Sequence, residues 1–435
     1  MPFFSKGRKE FFMKKVLSMV LILAVLLSCA SGVFAESKPV VLRFAWWGGD
    51  ARHAATLEAI ELYESLNPDV KIEAEYQGFD GYNEKILTQL SGGMQPDIFA
   101  VIATASAEYY AAFPDSFLTL DDQDIFDMSG FDQSFLEKFC CNQDGRLVSF
   151  PTGINSCSFI LNRTVFEKTG VELPDSWTWD EFIEVGKQIH AADPDCYLLT
   201  LSDDPANSLT RSFVRQITGQ WTIAEDNTVV SDRDALIAAF TWLQKLYIEG
   251  VCEPVESSRA YSDSSSNKKF LNNEVACFFS GSSSVANLDT SNGLQLELVN
   301  IPIMEGAVKT GVLTQPAQCM MISKNERSEE ALKFMNWFWN DPDAAIILKD
   351  CRGVPPVASV REFLEEKGAL NPVLSQGVSK ALSVTDDPIY PLNENTEVFS
   401  FMFSLMEQLC YMTITPEEAA DTVINDLPEI VAEII

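Results

Sequence analysis

From residue 40 to residue 102 the chain alternates short apolar runs with capped, helix-compatible stretches. This alternation restricts the fold more than any other feature. Val40-Val41-Leu42-Arg43-Phe44-Ala45-Trp46 reads as a strand and stops at Gly48-Gly49. Asp50 is placed to N-cap a helix running to about Leu66, where Asn67-Pro68 ends it. Val70 to Tyr76 alternates as a second strand. Asp80 can cap a helix from about Gly81 to Leu90, closed by Ser91-Gly92-Gly93. Ile98-Phe99-Ala100-Val101-Ile102 is apolar throughout, as a strand buried on both faces requires. Strand and helix in turn with short connections imply a parallel sheet covered by helices, an α/β fold.

The middle of the chain is richer in helix. Thr178-Trp179-Asp180-Glu181 is a capping box, with Trp177 and Phe182 as its hydrophobic staple. Ser231 and Asp234 open a second helix that ends near Gly250. Gly219-Gln220-Trp221 and Asp226-Asn227 read as turns or a short hairpin, and the polar stretch 257–268 as a mobile surface loop. Val299 to Ile303 and Val312 to Ile322 are strand candidates. Ser328 is placed to cap a helix through Trp339, and Asp341-Pro342 starts another. Thr415-Pro416-Glu417-Glu418 is a further capping box. No repeat and no clean linker divides the chain.

The N-terminus carries an export signal. Met13-Lys14-Lys15 precedes an apolar run, Val16 to Leu27, too short to span a bilayer but of signal-peptide length. Met13 is the expected start. Leu26-Leu27-Ser28-Cys29 resembles a lipobox, which would make Cys29 a lipidated mature N-terminus. Val33-Phe34-Ala35 offers ordinary cleavage instead, leaving a periplasmic or secreted chain. The lipoprotein reading is preferred, because Cys29 sits where the apolar run ends.

Composition excludes several functions. The 435 residues carry 63 acidic and 31 basic side chains, a formal charge of −32. Residues 1–28 are net basic, so their removal brings the charge to −36. Such a chain repels phosphate backbones and anionic lipid, so nucleic-acid binding is not expected and membrane contact is expected only through the anchor. Two histidines, His53 and His190, preclude a multi-histidine metal centre, and no cofactor is implied. Nine cysteines follow Cys29 without a CxxC or a metal-ligand spacing. They read as small buried hydrophobes.

Several stretches together resemble a known family. These are Leu42-Arg43-Phe44-Ala45-Trp46-Trp47-Gly48-Gly49, Tyr82-Asn83-Glu84-Lys85-Ile86, Gly92-Gly93-Met94-Gln95-Pro96-Asp97-Ile98 and Phe150-Pro151-Thr152-Gly153. Pro174 to Phe182, Phe270 to Gly281, Ile322-Ser323-Lys324-Asn325 and Arg352-Gly353-Val354-Pro355 follow in order. The chain is similar to the extracellular solute-binding proteins of bacterial ABC importers, in the carbohydrate-binding group related to maltose-binding protein. The resemblance implies a two-lobed periplasmic-binding-protein fold of type II, each lobe a mainly parallel sheet flanked by helices. A hinge crossed near Gly153–Ile154, Asn300 and Gly353 would give one lobe of residues 36–153 plus 301–352. The other would be 154–300 plus 353–435. A monomer that closes on a mono- or oligosaccharide and docks on permease subunits is the implied activity.

A neutral sugar needs rings for its C–H faces and amides or hydroxyls for its OH groups. Trp46 and Trp47 end the first strand and point to opposite faces, so one is expected in the cleft and one in the core. Asp50, Tyr82, Thr104, Asn155, Arg211, Trp221 and Gln315 are further ligand candidates, as are Ser280, Gly281 and Ser283. At Thr104 sugar-binding relatives often carry an acid, and near Ser283 an aromatic; both are absent here. Arg352 could meet a uronic carboxylate or form a hinge salt bridge. The rival readings are a secreted carbohydrate-active enzyme and a receptor for a non-sugar ligand. Against the enzyme, no G-x-S-x-G elbow, HExxH, P-loop or Rossmann fingerprint occurs. Mass spectrometry of the exported chain is expected to find lipid-modified Cys29 at its N-terminus. An unmodified N-terminus at Glu36 would assign ordinary cleavage instead.

Overall fold

In a computed structural model, residues 39–435 are described, apart from Asp80, 262–263 and 289–292. The signal, Met13, Cys29 and the helix-capping role expected of Asp80 lie outside the described residues. The strands are β1 (Val40–Trp47), β2 (Val70–Gln77), β3 (Ile98–Val101), β4 (Phe150–Pro151) and β5 (Ile154–Asn162). They continue with β6 (Tyr197–Thr200), β7 (Val275–Gly281), β8 (Leu296–Val299), β9 (Leu313–Pro316) and β10 (Cys319–Ile322). They form two sheets, β2-β1-β3-β10-β4 and β6-β7-β5-β8, with β9 also paired to β5. Helices cover both, so the two-lobed α/β fold is present.

The β1–β2–β3 unit forms as the alternation requires. β1 is parallel to both β2 and β3, and Phe44, Trp46, Ile98 and Phe99 are fully buried. Each such side chain contributes about 1.5–3 kcal/mol by leaving water. The capping boxes Thr178–Glu181 and Thr415–Glu418 are formed, and the Trp177 and Phe182 rings meet edge-on at 5.0 Å. Three other caps shift. The helix expected from Asp50 is capped by Gly49, with Asp50 as its first residue. Asp232, not Ser231 or Asp234, caps Arg233–Ile248. Ser328 begins its helix rather than capping it. The described residues within 257–268 are more ordered than a surface loop: Asn267 is buried, caps Lys268–Leu271 and bonds Thr200.

Strand direction departs from the expected mainly parallel sheets. In each sheet one central strand runs against the rest, β10 in the first and β5 in the second. Among the described strands of the second sheet only β6–β7 is a parallel ladder. The reason is topological: β10 and β5 enter their sheets from the hinge, whereas the other strands end there.

The crossings also differ from expectation. Val312 to Ile322 is not one strand. β9 pairs with β5, and β10 pairs with β3 and β4, so the chain changes sheet at Ala317-Gln318 rather than near Asn300. Ile301 and Val312 pack in the core of the second sheet. Val357, Val360, Leu364 and Leu370 pack in that of the first, so the third segment does not leave the first lobe at Gly353 for good.

The three crossing segments lie side by side. Thr152 N donates to Gln318 O and Ala317 N to Gly153 O, both at 2.8 Å. Ile154 and Val354 exchange N–H···O bonds of 2.8 and 3.1 Å. The third segment approaches so closely that a Cβ on Gly153 would stand 2.0 Å from the Arg352 carbonyl oxygen. Gly353 has φ +93°, which a side chain strains to adopt. Gly153→Ala is therefore expected to destabilise the protein by about 3 kcal/mol. An unchanged urea midpoint would contradict this backbone contact.

Candidate functional site

The topology builds the site from strand ends. β1, β2, β3 and β4 end toward the hinge from one side, and β6, β7, β8 and β9 from the other. Residues just past these C-terminal ends lie toward the crossing segments, and open α/β sheets hold their ligands at such strand ends.

The tryptophan pair divides as alternation requires. Trp46 is fully buried; its Nε1–H donates to His53 Nδ1 at 3.1 Å and its ring stacks on Tyr76 at 5.2 Å. Burial depresses the His53 pKa, consistent with a neutral acceptor nitrogen. Trp47 is half-buried at the strand end, its ring 5.0 Å from Tyr82 and 5.5 Å from Phe79. Tyr82 is wholly buried behind Trp47, and burial raises its phenol pKa. Tyr82 is thus a support for the Trp47 ring rather than an exposed contact. Phe79 is 51% exposed beside Trp47 and was not among the sequence candidates. Its only signal is its place two residues past β2. Asp50 is exposed. Thr104 lies in the helix Ala103–Ala112, and its side chain is outside the described set.

On the facing edge Asn155 and Gln315 are register partners on β5 and β9, with Gln315 exposed and Asn155 half-buried. Ser282 Oγ donates to Asn155 Oδ1 at 3.5 Å and accepts from Ser156 N at 3.1 Å. Ser280 and Gly281, half-buried, end β7, and exposed Ser283 follows. The structure thus brings Asn155, Gln315, Ser280, Gly281 and Ser283 to one edge.

Three candidates do not present themselves to a ligand. Trp221 is buried, donates to Pro388 O at 3.0 Å, and carries the Arg215 guanidinium on its ring. Arg352 is only 3% exposed. It donates to Thr56 Oγ1 at 2.7 Å and lies over the Phe338 ring, so it makes neither the hinge salt bridge nor an open carboxylate site. Arg211 is buried and donates to Glu394 at 2.9 Å. Asp204 stands close enough to feel both partners: burial raises its pKa, Arg211 counters, and Glu394 adds to the rise. Sequence reading also missed Arg52. Its Nη1 donates to Trp47 O at 2.9 Å and its Nε to Cys351 O at 3.1 Å, tying the end of β1 to the third crossing segment. Burial, then Arg352, lowers its pKa to about 10. Gln318 Nε2 donates to the same Trp47 carbonyl at 2.8 Å, so two donors fix the backbone under the indole.

Two cavities lie elsewhere on the second lobe. One of about 390 Å³ is lined by Arg163, Glu297 and Lys380, the other of about 620 Å³ by Tyr197, Tyr247 and Tyr411. Among the described residues no group of His, Cys, Asp or Glu is arranged to hold a metal. No described helix is long and apolar enough to cross a membrane.

The sequence profile of the bacterial extracellular solute-binding proteins matches residues 58–372. The chain belongs to that family. The lactose-binding protein of Rhizobium radiobacter is 26% identical over 388 residues, spanning 86% of this solute-binding protein and 84% of its own length. A periplasmic solute binding protein from Pectobacterium atrosepticum has the same fold, with TM-score 0.78 and 25% identity over 91% of this chain and 99% of that one. A periplasmic oligogalacturonide binding protein from Yersinia enterocolitica, solved with saturated digalacturonic acid, superposes with TM-score 0.74. It is 24% identical over 91% of this chain and 99% of its own.

In this solute-binding protein the adjacent tryptophans should separate stability from surface. Trp46→Ala is expected to cost about 3–5 kcal/mol, as for a fully buried ring. Trp47→Ala is expected to cost about 1 kcal/mol. Equal losses in urea denaturation would contradict their different burial.

Proposed function

We propose that this protein captures a sugar or oligosaccharide between its two lobes and delivers it to the membrane permease of an ABC importer. Closure about the three crossing segments traps the ligand, with lobes that follow the two sheets. The carrying observation is that a half-buried indole, flanked by exposed Phe79, stands on one hinge-facing edge and an amide–hydroxyl set on the other. Rings cover sugar C–H faces; Asn155, Gln315, Ser280 and Ser283 bond hydroxyls; Asp50 stands at the first edge. Similarity to a lactose-binding protein supports the ligand class. Arg211 is engaged by Glu394, while Trp221 and Arg352 act in packing.

The protein works as a monomer, without cofactor or metal, and catalyses no reaction. Lipidated Cys29 tethers it to the outer face of the cytoplasmic membrane. Its acidity keeps the tethered body soluble and free of anionic surfaces.

Titration with lactose and a series of oligosaccharides, followed by tryptophan fluorescence and calorimetry, tests this reading. At least one saccharide is expected to bind without being cleaved. Trp47→Ala combined with Asn155→Ala is expected to weaken that binding about thirty- to a thousandfold, since each removes contacts worth about 1–2 kcal/mol. Turnover of a glycoside would make the protein an enzyme. Binding of only a peptide or polyamine would reject the sugar.

A further inference from the structure

The nine cysteines of the described chain are all free thiols, and the binding reading uses none of them. Among the described residues one thiol–thiol contact occurs. Cys140 Sγ and Cys319 Sγ are 3.9 Å apart, and both residues are fully buried. They are 179 positions apart in sequence. Cys319 opens β10, directly after the crossing segment. Cys140 follows the helix Gln133–Phe139, and its carbonyl accepts from Val148 N and Ser149 N, at the approach to β4. Cys319 is the register partner of Pro151 on β4. The two sulfurs therefore stand where two crossing segments root in the first lobe.

We propose that Cys140 and Cys319 are a disulfide-forming pair, a covalent modification site that closes during folding in a thiol–disulfide environment. The sulfurs must approach by about 2 Å to reach bonding distance, a shift within side-chain rotation and small backbone adjustment. The oxidant is a disulfide, R–S–S–R. One cysteine thiolate attacks it, forming a mixed disulfide and releasing RS⁻. The second thiolate then attacks the protein sulfur of that mixed disulfide and releases the other RS⁻. Two Cys–SH and one R–S–S–R become one Cys–S–S–Cys and two R–SH, the two thiol protons ending on the released thiolates.

Timing follows from burial. In the folded chain burial holds the Cys140 thiol well above its usual pKa, with Cys319 adding to the rise. Attack is thereby suppressed once folding is complete. While the chain folds the thiols are open to exchange, and native packing retains the bond that native contacts favour. Cys277 and Cys410 each act electrostatically on Cys252, but no sulfur–sulfur contact joins them among the described residues.

The full exported chain, reduced and unfolded, is refolded with reduced and oxidised glutathione. It is then denatured, alkylated and peptide-mapped by mass spectrometry. A single linked peptide joining Cys140 to Cys319 is expected, with the other seven body cysteines alkylated. The oxidised protein should melt a few degrees higher than protein refolded in reductant alone, because the bond restricts the unfolded chain. Cys319→Ala should remove both the linked peptide and the difference in melting temperature. Complete alkylation of Cys140 and Cys319 after oxidative refolding, or a link between other cysteines, would overturn the proposal. The peptide map of the unsubstituted chain decides the matter even if Cys319→Ala does not fold.

Discussion

Everything in this molecule hangs on three backbone segments held side by side. Gly153, Ala317 and Gly353 lie at their centre, and N–H···O bonds join the first segment to each of the other two. No side chain fits between the first and the third, since any Cβ on Gly153 would meet a carbonyl. The close approach fixes where the chain leaves one sheet and enters the other. It also fixes strand direction: the strand entering from the hinge is reversed, and the others end at the hinge. Eight of the described strands end toward one region, and the side chains proposed to meet the ligand are carried there by the sheets themselves.

The same geometry explains how charge is used. The chain is strongly acidic, yet the hinge-facing edges rely on rings, amides and hydroxyls, with Asp50 and Asp204 nearby. The buried cations beside the hinge act on backbone and neutral groups. Arg52 bonds two carbonyls, and Arg352 bonds a threonine hydroxyl. Removing them from water depresses their pKa values. Held there, they fasten the end of β1 to the third crossing segment and present Trp47 on a fixed backbone. Arg211, which as a lone sequence symbol could serve a ligand, is engaged by Glu394.

Much of the fold was legible because it depends on local patterns. Apolar alternation located β1 to β3, and the Thr178–Glu181 and Thr415–Glu418 boxes located two helix starts, since those bonds span three residues. Register was not legible. Val312 to Ile322 has the composition of one strand, and only pairing partners more than a hundred residues away divide it at Ala317-Gln318. Asp50 was read as a cap because its residue type suits one, but the backbone places Gly49 there. For the site, the division of Trp46 and Trp47 followed from alternation. The burial of Arg352 and the exposure of Phe79 did not, because both depend on which distant element packs alongside.

Side-chain period, capping chemistry and turn residues act over a few positions, so the order of most strands and helices and the side-chain chemistry available were present in the linear chain. Hydrogen bonding across the hinge acts between residues up to about two hundred positions apart. Folding alone therefore chose which strand is reversed, where the chain changes lobe and which polar groups stay free. Long-range pairing is set by the mutual fit of surfaces that exist only after the local elements have formed.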